Sequence, residues 1–169
     1  MIIKKDNGFT LIDALLWFAV FGVMIAVLYT KFNTGMTEGR NKNEIDALTQ
    51  TINQMRQILT GTNPAVNTDY TSSLSAAMTI PKPFSISGAT IVNSNKGTVV
   101  YTNVDEASFK VDINSAPKSL CAELATNIND FDTFKGPGGG SGVSKPAMTP
   151  STISNHCNTT GTATLSFLK

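Results

Sequence analysis

The chain has 169 residues and a mass of 18.0 kDa, enough for one hydrophobic core rather than two. Thirteen basic against twelve acidic side chains give a net charge of +1, which excludes the basic footprint of a nucleic-acid binder, and no run of like charge marks a binding tail. The 41% apolar content is unevenly placed: residues 9–29 hold one ionisable side chain, Asp13, and the remainder is polar and rich in Thr, Asn and Ser.

The first eight residues, Met1-Ile2-Ile3-Lys4-Lys5-Asp6-Asn7-Gly8, are short and carry two lysines. An apolar stretch of about 21 residues follows at once, longer than the core of about 7–15 residues in a secretory signal, and its small residue, Gly8, precedes it rather than follows. At about 1.5 Å per residue the stretch covers roughly 30 Å, enough to cross a bilayer core. Lys4 and Lys5 place the N-terminus on the cytoplasmic side and the polar remainder outside. Composition alone thus predicts a single-pass protein with an exported domain. Asp13 stands out, because a carboxylate near a helix centre at membrane depth costs about 2.5–3.5 kcal/mol even on the lenient scale. Either it lies close enough to the interface to stay hydrated, or it has a partner. Gly22, inside the same helix, permits close packing of helices.

After Lys31 comes a polar patch with Gly35 and Gly39, able to bend or interrupt the helix. Amphipathic pattern then resumes: Ile45, Leu48, Ile52, Met55 and Leu59 are spaced as one helical stripe, and Gly61 suits a C-terminal cap. A single helix over residues 9–60 would be roughly 78 Å long. Residues 61–83 read as a loop-rich connection with one helical turn around 73–78. Strands are predicted over 84–92, 97–103 and 107–113, with Phe109, Val111 and Ile113 alternating against polar neighbours and Asn93-Ser94-Asn95-Lys96-Gly97 as a hairpin turn. Pro117 opens a short helix with Leu120, Leu124 and Ile128 on one face, carrying Cys121. Residues 136–150, rich in Gly, Ser and Pro, lack the lysine and Ser/Thr spacing of a phosphate loop and read as a flexible surface loop. A strand over 162–168, with Ala163, Leu165 and Phe167 alternating, ends the chain.

Two cysteines, Cys121 and Cys157, in a chain with an export-like N-terminus favour a disulfide over two free thiols. A zinc site fails on number, since His156 is the single histidine and no C-x-x-C pair exists. His156 then reads as a loop residue beside a bridge. Asp130 and Asp132 would make only a weak oxygen site and read as solvated loop charges.

Gly8-Phe9-Thr10-Leu11-Ile12-Asp13, behind a short basic leader and ahead of an apolar helix, closely resembles the signature of type IV prepilins. The resemblance implies that a membrane prepilin peptidase cuts between Gly8 and Phe9 and methylates the new N-terminus at Phe9. Asp13 becomes the fifth residue of the mature chain and the assembly residue, its carboxylate pairing with the N-terminal ammonium of a neighbouring subunit. A buried charge partnered only on docking would act as a register mark. The family usually has Glu there; Asp is one methylene shorter. Loss of the leader leaves 11 basic and 11 acidic side chains, a neutral subunit compatible with self-association.

The stretch 109–124, a strand followed by Pro117, Cys121 and a helix, together with Cys157 and a terminal strand, looks like the type IVb branch, although the short leader and Phe9 are closer to type IVa. The expected fold is therefore α+β: a long N-terminal helix, membrane-spanning in its first half and amphipathic in its second, packed on an antiparallel sheet, with a disulfide-bounded C-terminal region. The expected organisation is a cleaved leader (1–8), a hydrophobic transmembrane and assembly helix (9–30) and a periplasmic or extracellular pilin domain (31–169). By this resemblance the chain is a structural subunit, of the type IVb major kind, resident in the inner membrane and then in an extracellular pilus. Its implied partners are itself, the prepilin peptidase and the pilus assembly machinery. A minor pilin or a secretion pseudopilin shares this N-terminus. A membrane-anchored periplasmic enzyme is the alternative from another class, but no nucleophile motif or metal set supports it; no catalytic residue, cofactor or metal is assigned.

Overall fold

The computed structural model describes residues 11–61, 65–77 and 80–169. The chain divides into two compact units at the junction of Gly39 and Arg40.

The described part of the first unit is helical. Helix α1 spans Leu11–Gly61, and up to Gly39 its side chains are exposed except for a half-buried Ala14. Its most apolar window of 18 residues has a mean hydropathy of 2.5 and no buried residue; Leu11 is 79% and Phe18 75% exposed. Bare apolar surface costs about 25 cal/mol per Å² in water, so a continuous sleeve of it requires lipid or protein around it. By length and composition the helix is able to cross a membrane. Thr30, Thr34 and Thr37 donate back to the carbonyls of Val27, Thr30 and Asn33 at 2.9, 2.9 and 3.0 Å, which satisfies their hydroxyls within the helix. Gly22, Gly35 and Gly39 all lie inside α1; the last two do not interrupt it.

In the second unit, Arg40–Lys169, α1 buries Ile45, Leu48, Ile52, Met55 and Leu59, the five residues of the sequence stripe, together with Ala47 and the polar Asn41, Glu44 and Thr51. Each large apolar side chain buried this way contributes on the order of 2 kcal/mol. Then follow β1 (Thr68–Asp69), α2 (Thr71–Ala77), β2 (Ser85–Ser87), β3 (Thr90–Val92), β4 (Thr98–Asn103), β5 (Ser108–Ala116), α3 (Lys118–Asn127), β6 (Thr133–Lys135), β7 (Val143–Ser144), a 3-10 turn at Lys145–Ala147, α4 (Pro150–His156) and β8 (Gly161–Leu168). The strands form one antiparallel sheet in the order β2-β3-β4-β5-β8-β6-β7, with β1 also paired to β4. The last strand of the chain therefore lies inside the sheet, between β5 and β6.

Register explains the core. Ile91, Val99, Ile113 and Ala163 stand opposite one another across β3, β4, β5 and β8. Tyr101, Val111, Leu165 and Phe134 form a second row, and Asn103, Phe109 and Phe167 a third. All of these are buried, as period-2 alternation demands of one sheet face. Phe109 and Phe167 stack at 5.2 Å between ring centres. The Tyr101 hydroxyl meets that of Thr51 on α1, so the one phenol in the core has a polar partner; burial pushes its pKa above the ordinary tyrosine value.

The α+β reading holds, with local departures. The strand expected over 84–92 is a hairpin of two short strands, because Gly88 at φ +63° reverses the chain there. Strand β5 runs on to Ala116 past an irregularity at Ser115, whose φ is +56°. Strands β1 and β7 fall where the sequence reads as loop, and β6 and α4 stand where the sequence pattern predicts neither strand nor helix.

Candidate assembly segment and disulfide-bounded region

Gly8 and Phe9, the cleavage and methylation positions, lie outside the described residues. Asp13 lies in the first described turn of α1 and is exposed. Its surroundings on the helix are apolar: Ile12 is 69%, Leu16 61% and Trp17 54% exposed, and the rings of Trp17 and Phe21 lie 5.9 Å apart. Among the described residues 11–30 of α1, Asp13 is the one carboxylate in a run of mostly apolar side chains.

In the second unit Cys121 and Cys157 are joined by a disulfide, with Cα atoms 5.5 Å apart and a sequence separation of 36. Cys121 sits on the buried face of α3, and Cys157 caps the C-terminus of α4. Both are buried. Helix α4 starts where Thr149 accepts from the backbone N–H of Thr152 at 3.2 Å and Pro150 occupies the first turn.

The glycine-rich stretch is not the slack loop that its composition suggests. The N–H of Gly138 donates to the carbonyl of His156 at 2.8 Å, and that of Gly136 to the His156 Nδ1 at 3.4 Å. A Cβ on Gly136 would stand 2.3 Å from the His156 carbonyl oxygen, and one on Gly139 2.0 Å from Nδ1. These glycines are there for close approach. His156 is correspondingly the last residue of α4, buried to 7% exposure and packed near Phe134, rather than a loop residue.

Two charged side chains missed in the sequence close the region. Lys145 Nζ donates to the carbonyls of Ala125 and Ile128 at the end of α3, and burial pulls its pKa below the ordinary lysine value. Arg56 of α1 pairs with Asp130 and also donates to the carbonyls of Asp130 and Leu168, both at 3.3 Å. Asp130 is thus an ion-pair partner, while Asp132 remains an exposed charge. Among the described residues no group of three or more His, Cys, Asp or Glu side chains is placed to hold a metal.

The family model described as PilS N terminal matches residues 38–169, more than half of the chain. The chain belongs to the PilS N-terminal family. That match begins within two residues of the second compact unit and leaves the apolar segment outside it. PilS N-terminal proteins are pilin-related, which places this chain among proteins associated with the type IV pilus. No curated protein and no solved structure matches it.

Proposed function

We propose that this chain is a structural subunit of a type IV pilus, a type IVb-like major subunit cut after Gly8, methylated at Phe9 and polymerised through residues 9–30. The observation that carries this reading is a bare apolar helix ahead of a folded PilS N-terminal unit. Lipid covers that helix before assembly and neighbouring copies cover it in the fibre. Asp13 supplies the carboxylate with which a neighbour's N-terminal ammonium pairs. The subunit pool resides in the inner membrane, with residues 31–169 outside, and the fibre is extracellular.

A minor pilin or a pseudopilin would use the same N-terminus. Asp13 in place of the family's usual Glu favours a minor subunit; the Cys121–Cys157 bridge favours a pilin over a pseudopilin. Quantifying the chain in sheared surface fibres separates them. A major subunit dominates the fibre mass, whereas a trace amount assigns the minor role.

A further inference from the structure

The two ends of the second unit carry opposite exposed charge. At the end where α1 enters, Arg40 donates to Asn95 Oδ1 in the β3–β4 turn at 2.9 Å. Helix α3 opens beside the same turn: Asn93 Nδ2 donates to the Asn114 carbonyl at 2.8 Å, β5 ends at Ala116 and α3 begins at Lys118. Arg40, Lys42, Lys96 and Lys118 are all exposed here. Two acids of this end are spent inside the fold. Glu44 is 2% exposed and accepts from the Ser94 hydroxyl, and the half-buried Glu123 accepts from Asn41 at 2.8 Å. Asp46, one turn beyond Lys42 on α1, is exposed.

The opposite end is acidic. Asp105 and Glu106 are exposed in the β4–β5 turn, just past the pair Asn103 and Phe109. Asp69 is exposed on β1, where it pairs with Thr102. Asp130 and Asp132 are exposed nearby, the N–H of Asp132 donating to the Ser166 carbonyl of β8 at 2.8 Å. Two cations lie among them: Arg56 pairs with Asp130, and Lys169 donates to the carbonyls of Asp105 and Glu106 at 2.7 and 3.1 Å. Elsewhere Lys110 and Asp112 pair at 3.3 Å, while Lys82 and Lys135 are exposed ahead of β2 and on β6.

Strand β5 runs from one end to the other, which sets them about 26 Å apart. That is roughly three Debye lengths at physiological salt, so the ends do not neutralise each other. Each is complementary to the other end of a second copy. Joining unlike ends is a heterologous contact, which propagates as an open filament unless it closes into a ring.

We propose that the basic end of the second unit, through Lys96 and Lys118, docks on the acidic end of a second copy around Glu106 and Asp132. This rests on the subunit reading above and adds a contact made by folded units rather than by residues 9–30. Exposed pairs contribute little singly, so the contact sets orientation and register more than strength.

The test begins with carbodiimide treatment of intact cells, which forms amides between lysines and carboxylates in contact, followed by peptide mapping. Lys96 or Lys118 is expected joined to a carboxylate of the acidic end, and the separation of the ends makes any such link one between copies. Its yield should fall as salt is raised. Glu106→Lys with Asp132→Lys spares the Asp105 and Asp130 contacts and is expected to lower fibre yield about tenfold or more. Adding Lys96→Glu and Lys118→Glu to that chain should restore it. Should the reversed variants fail to fold, the wild-type links decide alone. Wild-type links confined to one end, or fibre yield indifferent to the acidic-end reversal, overturns the proposal. So does a basic-end reversal that acts alone and is not rescued, which would assign that end to an anionic lipid surface. Absence of the wild-type chain from sheared fibres contradicts the subunit reading instead, and links in the membrane pool then decide this contact.

Discussion

The ammonium of Lys145 lies 4.5 Å from the centre of the Phe131 ring, so one cation packs on an aromatic face and caps the end of α3 at the same time. Together these contacts draw the chain at 145, well inside the disulfide-bounded stretch, back onto the end of α3 and the residues just after it.

Replacing Lys145 should therefore destabilise the second unit. Hydrogen bonds from a charged donor are worth about 1.5–3 kcal/mol. Lys145→Ala is expected to lose an amount in that range in chemical denaturation, with Lys145→Arg recovering part of it. A change under about 0.5 kcal/mol would show that the cap is solvated in solution.

The glycines divide into two classes that alanine substitution can distinguish. A Cβ on Gly136 meets the His156 backbone at 2.3 Å, whereas one on Gly140 meets nothing within 4 Å. Gly136→Ala should cost at least about 1–3 kcal/mol through overpacking, and Gly140→Ala should stay within about 0.5 kcal/mol of the parent. Equal effects would mean that the stretch is as mobile as its composition implies.

This pair of glycines also marks where the sequence misled. The long helix, its apolar stripe at Ile45–Leu48–Ile52–Met55–Leu59, strands β4, β5 and β8, and helix α3 were legible because each carries a clean period and buries one face. Strands β1, β6 and β7 hold two or three residues each, too few for any period, and their positions follow from pairing with longer strands. Helix α4 was marked only by Thr149-Pro150, a capping residue before proline. Glycine content alone does not separate mobility from close approach; that needed the position of His156. At the assembly segment, Asp13 was conspicuous as a charge in apolar surroundings, while Glu44, Arg56 and Lys145 sat in ordinary polar contexts whose partners are 50 or more residues away or across a turn of irregular chain.

The disulfide should add stability without governing processing. Closing a 36-residue separation contributes about 4 kcal/mol in the chain-entropy account, as an upper figure. Cys121→Ser, or reduction, is expected to lower the denaturation midpoint and the yield of fibres while leaving cleavage at Gly8 unchanged. Because Lys145 and the glycine contacts with His156 hold the same stretch, the reduced chain should keep the near-UV signal of its aromatic core. Mass spectrometry of unreduced protein checks the bridge itself, which two free thiols would rule out.

Asp13 separates assembly from the steps before it. Asp13→Ala removes the one charge from the apolar sleeve, so membrane insertion and cleavage should proceed and fibres should fail. Asp13→Glu lengthens the carboxylate by one methylene and should keep at least part of the fibre yield. Normal fibres from the alanine variant, counted by electron microscopy, would remove the assembly role from this residue.

The most direct test of the pilin reading is the N-terminal sequence and intact mass of the chain purified from surface fibres. The account predicts a mature chain beginning at Phe9, with a mass raised by one methyl group and lowered by the two hydrogens of the Cys121–Cys157 bridge. An intact Met1, a cut after the apolar segment, or absence of the chain from fibres altogether would contradict it.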